Sequence, residues 1–296
     1  MQRQRSLAHG AGNGGATPRA AHDGLSCARS VTPHRARHSP VVDRAGRFLV
    51  NMLDRTRPAA ERCDVATAFS HELDVAFTSA HRLLRAHMHN LVTRYDQILH
   101  DDLVPILAGD GVAFPRWEEL SSIEQARMQR HFHRSTFPLI TPIAVDSTHP
   151  LPNLPSLALS VGIRVDGRLV LVTMSPHVPR LLEVSSGRYL TVESLVAAML
   201  PRVLVGVQVA EYTALRVTRS THTAHAVRLE VEQRSSDVLV NTIAGRLSIP
   251  DGDVYRLTSS LAMGDPLSLL PRGHTPARRA LGVGEAATGT RTETNP

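Results

Sequence analysis

The sequence predicts an α+β fold: an N-terminal antiparallel helical pair, then a mainly antiparallel sheet domain with short helices, between disordered tails. Three observations carry this. Apolar residues recur at three- and four-residue spacing between Pro58 and Ala108. Beyond Leu157 the period changes to alternation. A two-residue Asp166-Gly167 turn then separates two β-rich runs, LALSVGIRV and RLVLVTM, the pattern of a tight hairpin.

The helical stripe runs through Val65, Ala68, Phe69, Leu73, Ala76, Phe77, Ala80, Leu83 and Leu84, and resumes at Leu91, Tyr95, Ile98, Leu99, Leu103, Ile106 and Leu107. It stops at Gly109-Asp110-Gly111, where two glycines end a helix. Ser121 stands three residues before Glu124, the spacing of a capping box, so a short helix is expected from there to about Thr136. The segment FPLITPIAVDSTHPLPNLP is rich in proline and reads as an extended or turn-rich crossing. After the hairpin come a helix at TVESLVAAML, strand-like VLVGVQVAEY, LRVTR and AVRLEVE, a helix over SSDVLVNTIAGRL and a last strand at DVYRL. Residues 1–42 and 271–296, rich in Gly, Ala, Pro, Thr, Arg and His, lack a sustained apolar period and read as tails. The remainder divides into a helical domain over 43–113 and a second domain over 114–270.

Composition excludes several chemistries. All 33 basic residues are arginine, so a phosphate-binding loop lysine, a Schiff-base lysine and a protein-kinase strand lysine are all ruled out. The formal charge of +6 suits polyanionic partners, although much of it lies in the tails. Aromatic residues make up only 4%, too few for the stacking platforms of single-stranded nucleic-acid binders. Two cysteines, Cys27 and Cys63, cannot form a disulfide framework, and the expected location is the cytoplasm, with no membrane association.

Candidate chemistry is sparse. His81, His87, His89, His131 and His133 lack the convergent spacing of zinc ligands, so no metal site is assigned. No G-x-S-x-G elbow accompanies the serines, and no catalytic residue is assigned. Arg164, Arg168, Arg216, Arg219 and Arg228 lie in the β region. Strands could align them on one polar face as bidentate phosphate donors. They could equally be the outward polar residues of a one-sided sheet.

Phe137, Pro138, Thr141, Pro142, Ala144, Val145, Asp146, His149, Pro150 and Pro152 match, without a gap, the signature F-P-x-L-T-P-L-A-V-D-x-x-H-P-F-P. Through them the chain resembles the middle (head) domain of polyphosphate kinases, with Thr141, Pro142, Asp146, His149 and Pro150 as the core of the match. LRVTR, VRLEV and DGDVYRL resemble later strands of that domain, and Phe69, Ser70, Leu73, Asp74 and Phe77 resemble the helix signature of its N-terminal neighbour. The resemblance spans about residues 46 to 270. It implies transfer of the ATP γ-phosphate to polyphosphate, with ATP and Mg²⁺ as the family's cofactors and none held by this chain. It implies polyphosphate, a second copy of the chain or a full-length polyphosphate kinase subunit as partners. The family's catalytic histidine lies in a C-terminal domain outside this sequence, so the expectation is a truncated homologue, inactive alone. The alternatives are a component completed by a separate catalytic polypeptide, a decayed gene product and a basic polyanion-binding module. At the nucleotide-binding position the family's Asn is replaced by Glu72, and an ionised carboxylate only accepts hydrogen bonds. Between Arg219 and Val227 a family strand and long helix are reduced to STHTAHA, a loss expected to bare a sheet face.

Overall fold

The computed structural model describes residues 40–79, 85–145, 154–258, 260–263 and 267. The expected tails fall outside these residues, apart from 40–42. Three helices come first: α1 (Pro40–Leu53), α2 (Ala59–Ser79) and α3 (Arg85–Ile98), the last running through a π-turn over Leu99–Leu103 into α4 (Val104–Gly109). The expected pair is therefore a larger assembly, because α1 packs on both α2 and α3. Its start lay within the residues read as tail. Proline is tolerated at the first helical position, where its missing N–H is not needed, and Asp43 in the first turn suits the helix dipole. Met52, Ala45 and Phe69 are buried at this junction, with the Phe48 and Phe69 rings 6.4 Å apart.

The remaining elements are α5 (Ser122–His131), β1 (Ile140–Val145), β2 (Leu159–Val165), β3 (Arg168–Met174), β4 (Leu181–Ser185), β5 (Arg188–Thr191), α6 (Val192–Val203), β6 (Glu211–Arg219), β7 (Ala226–Glu232), α7 (Asp237–Leu247) and β8 (Val254–Leu257). Six strands form one sheet in the order β1-β3-β2-β6-β7-β8. All pairings are antiparallel except β7 with β8. Strands β4 and β5 make a separate small sheet, too short to stand out in the sequence.

Local signals account for most of these elements. Ser121 caps α5 through its hydroxyl, and the Glu124 carboxylate accepts from the Ser121 N–H at 2.8 Å, completing the capping box. Asp166 and Gly167 take φ of 47° and 75°, the left-handed pair that a two-residue hairpin requires. The proline-rich crossing behaves differently. Phe137–Leu139 is a 3-10 turn and Ile140–Val145 is a strand at the sheet edge, the location where the missing N–H of Pro142 costs the ladder least. Of the strand expected from Val203 to Tyr212 only the last two residues form, as the start of β6: the helical stripe of Leu195, Val196, Met199 and Leu200 carries α6 to Val203, and β6 begins at Glu211.

Alternation sorts the sheet residues onto two faces. Leu169, Leu171, Leu215, Val217, Leu229 and Val231 pack beneath α7, against Leu239, Val240 and Ile243. Opposite them, Val161, Ile163, Val172 and Met174 pack against α6 and the small sheet. The β6–β8 end of that second face meets the helical assembly, whose core also takes in Ala214, Tyr255 and Leu257. Among the described residues both faces of β6 and β7 are covered, against the expectation of a bared face. Residues 220–225 close in a turn, with Ser220 N–H donating to His225 O at 2.9 Å, while α2 and α7 both pack on β6 and β7.

Gly162 of β2 lies close beneath α7. A Cβ there would lie 2.8 Å from Ile243 Cδ1 and 2.9 Å from Leu215 Cδ2. Gly162→Ala is expected to destabilise the protein by about 1–3 kcal/mol through overpacking, read as a lower urea midpoint with an unchanged slope.

Candidate functional site

The strongest concentration of buried charge lies where α2 crosses β6 and β7. On the strands, Arg216 stands opposite Glu230 and Arg228 opposite Thr218, so alternation places all four on the face that meets α2. From α2, Asp74 enters between the two arginines. Leu73, Ala76 and Phe77 around it are buried, and their burial draws the Asp74 turn of the helix onto the sheet. The Asp74 carboxylate accepts from both terminal nitrogens of Arg216, each at 2.8 Å, a bidentate pair. It also accepts from Arg228 Nη2. Glu230 Oε2 takes the Arg216 Nε–H at 2.6 Å, and Thr218 Oγ1 takes the Arg228 Nε–H at 2.9 Å. The Arg228 guanidinium carbon lies 4.2 Å from the centroid of the Phe77 ring, a cation–π contact.

Two cations and two carboxylates leave this cluster formally neutral. Arg216, Arg228 and Glu230 are 5%, 1% and 2% exposed, so each charge depends on its partners rather than on water. Burial pushes the Asp74 carboxyl up, but the charges and hydrogen bonds of Arg216 and Arg228 outweigh it and hold the pKa below its ordinary value. Burial likewise works against the Arg216 cation, and Glu230 and Asp74 reverse the balance, raising its pKa. Flanking bonds extend the junction. Thr221 N–H donates to Thr78 O at 3.1 Å, and Asp96 of α3 accepts from Thr258 N–H at 2.8 Å and from its hydroxyl at 2.7 Å.

The five arginines singled out from sequence do not share one face. Arg164 points to the α7 side and is paired with Glu211. Arg168 is exposed at the hairpin, on the opposite side. Arg216 and Arg228 are committed to Asp74 and Glu230, and Arg219 donates to Leu154 O at 2.7 Å and Ala224 O at 3.0 Å. The separation follows from strand pairing: an even number of residues between positions on facing strands does not by itself ensure a common side, because register sets it. Glu72 faces α1 and accepts from Arg44 Nη1 at 3.1 Å. Thr141 and Pro142 sit exposed on β1. Asp146, His149 and Pro150 lie outside the described residues. Among the described residues, no group of three or more His, Cys, Asp or Glu could hold a metal ion.

Sequence reasoning did not single out Asp74 or Glu230 as site residues. The signal for Glu230 was present as opposite charges alternating along LRVTR and AVRLEVE. Nothing local indicated that Asp74 would meet them 142 residues away. A separate basic ridge was missed as well. Arg127, Arg130 and Arg134 follow at three- and four-residue spacing down α5 and its π-turn, and Arg202 joins them from α6 by contacting His133 at 2.9 Å and Gln129 at 3.2 Å. Arg130 and Arg134 are exposed, and neither is ion-paired with a carboxylate among the described residues.

Asp74→Asn tests the buried cluster. Removing this carboxylate leaves Arg216 and Arg228 under-compensated and is expected to cost about 3–5 kcal/mol at neutral pH. Because the folded-state pKa of Asp74 lies below 3.8, its contribution is complete above the unfolded value and is lost as pH falls through the folded one. The wild type should therefore lose stability in acid more steeply than Asp74→Asn, as measured by urea unfolding between neutral pH and pH values below that ordinary carboxylate value.

Comparison with known proteins agrees with this architecture. Residues 123–224 match the polyphosphate kinase middle domain. The polyphosphate kinase of Streptomyces coelicolor is 30% identical over 208 residues, covering 60% of this chain and 28% of that protein. That of Mycobacterium bovis is 25% identical over 279 residues, covering 79% of this chain and 36% of that protein. The chain thus spans only about a third or less of these curated relatives. The crystal structure of polyphosphate kinase from Porphyromonas gingivalis superposes with a TM-score of 0.70 over 79% of this chain and 40% of that one; at 19% identity, this likeness concerns the fold. Matched in sequence across the middle domain and in fold beyond it, the chain is a member of the polyphosphate kinase family over its middle region.

Proposed function

We propose that this chain is a polyphosphate kinase head segment that binds polyphosphate without carrying out phosphoryl transfer by itself. The observation that carries this reading is the division of its arginines. Those aligned at the heart of the sheet are neutralised internally by Asp74 and Glu230, whereas Arg130 and Arg134 on the α5 ridge are exposed and have no carboxylate partner among the described residues. Phosphoryl transfer requires an in-line nucleophile, charge-neutralising cations and a positioned nucleotide. Arg216 and Arg228 are unavailable for the second task. At the position of the family's nucleotide-contacting Asn, Glu72 presents a carboxylate already engaged by Arg44, a group that accepts but does not donate and that repels phosphate.

An exposed guanidinium ridge suits a linear polyanion, because each arginine can engage phosphate oxygens through paired N–H groups. The same reading takes a second copy of this chain, or a full-length polyphosphate kinase subunit, as the protein partner that supplies or shares the chemistry. No helix among the described residues is long and apolar enough to cross a membrane.

Two measurements test the reading. Incubation with Mg-ATP should yield neither acid-stable polymer nor phosphohistidine; sustained turnover by this chain alone would overturn it. Titration with polyphosphate at two salt concentrations should give salt-sensitive binding, and Arg130→Ala/Arg134→Ala should flatten the dependence of log K on log salt by about one unit per contact removed. Binding that ignores both salt and the double substitution would remove the ridge from the proposal.

A further inference from the structure

The basic ridge carries aromatic rings as well as arginines. In the π-turn over Phe132–Thr136, Phe132 and Thr136 are fully buried, and His133 and Arg134 between them are exposed. Phe137 follows in the 3-10 turn and is 45% exposed. The buried Phe132 ring supports both of its aromatic neighbours: its centroid lies 5.6 Å from that of His133 and 5.8 Å from that of Phe137. The His133 and Phe137 rings are themselves 6.5 Å apart. Two exposed flat rings therefore stand next to each other on a buried base.

Positive charge surrounds these rings. Arg202 reaches over from α6, with Nη1 2.9 Å from His133 Nε2 and Nη2 donating to Gln129 Oε1 at 3.2 Å. A guanidinium only donates, so these contacts hold Arg202 beside the rings without cancelling its charge. Arg130 precedes His133 by about one turn and Arg134 follows it directly. All three arginines are exposed and have no carboxylate partner among the described residues. The low aromatic content of the whole chain, 4%, conceals this local concentration between positions 132 and 137. An all-phosphate chain gains nothing from such rings, because an aromatic face carries partial negative charge and repels an anion. A ligand that alternates phosphates with flat, weakly polar groups uses both features.

We propose that the ridge also binds single-stranded nucleic acid, with backbone phosphates on Arg130, Arg134 and Arg202 and an unpaired base stacked on Phe137. This rests on the reading of the ridge as a polyanion site and adds a second class of ligand to it. The strand must be single, because a base inside a duplex has no free face to offer a protein ring. A strand also suits the ridge better than a mononucleotide: the arginines come from two helices, α5 with its π-turn and α6, and successive phosphates can meet them in turn. Stacking on an aromatic ring tolerates any base, so the expected recognition is of single strands in general rather than of a sequence. RNA and DNA strands share this chemistry, and the test includes both.

The probes are fluorescent oligoadenylate, oligodeoxyadenylate and an abasic deoxy oligomer of the same length and charge, titrated into the full chain by anisotropy at low salt, with polyphosphate measured alongside. At least one adenylate is expected to bind the wild type about fivefold or more tighter than the abasic oligomer. A preference for the ribose strand identifies RNA as the ligand, and a preference for the deoxyribose strand identifies DNA. Phe137→Ala should remove the advantage of the bases while leaving the abasic oligomer and polyphosphate unaffected, and Phe137→Trp should keep it. Arg130→Ala/Arg134→Ala should weaken all four ligands. The comparison of base-bearing with abasic oligomers is made on the wild type, so it decides the matter even where a variant fails to fold. If the abasic oligomer binds as tightly as both adenylates, or if folded Phe137→Ala keeps the advantage, the proposal is overturned and the polyphosphate reading stands. If no polyanion binds, both fall.

Discussion

One carboxylate, that of Asp74, joins the two structural halves of this molecule. Strand pairing forces Arg216 and Arg228 onto the same sheet face, where helix α2 excludes water from both. Two buried guanidinium groups cannot be left without counter-charge in such surroundings. Glu230 supplies one negative charge from within the sheet, and Asp74 supplies the other from the helix. The helix therefore cannot slide or rotate on the sheet without breaking a bidentate pair, which gives the junction a defined geometry that hydrophobic contact alone would leave looser. Phe77, packed under Arg228 and edge-on to Tyr255 at 5.3 Å, supports the same alignment.

This constraint shapes the functional reading. In a family whose substrates are phosphates, sheet arginines are natural candidates for substrate contacts, yet an arginine already paired on several of its nitrogens has little left to offer a ligand. Exposed cations lie elsewhere, among them Arg130 and Arg134 on the rim formed by α5 and its π-turn. Ridge and ion-pair cluster thus occupy two distinct parts of one α+β framework.

Much of that framework was legible in the sequence because its causes are local. The Asp166-Gly167 hairpin, the Ser121 capping box, the helix after Ser236 and the strand AVRLEVE each follow from a few adjacent residues and one periodicity. Failures came where a distant partner decided. The crossing around Pro142 becomes a strand because β3 offers it an edge, and residues 204–209, rich in Val and Leu, join no strand because α6 runs through their start. Helix α1 gains its place from Phe69 and its neighbours on α2.

The sequence by itself determined family resemblance, fold class, the absence of lysine chemistry and the alternation that puts Arg228 and Glu230 on a common face, which Arg216 joins through strand register. Only the tertiary structure decided what those charges do. Whether an arginine grips a ligand or a neighbour depends on which carboxylate the fold delivers to it, and Asp74 arrives from 142 residues away. Glu193 carries the same lesson: on helix α6 it reads as an ordinary first-turn acid, and only packing against the sheet buries it and pairs it with Arg180. Residue type and period are local properties, whereas desolvation and the pairing that answers it exist only after the chain has closed on itself.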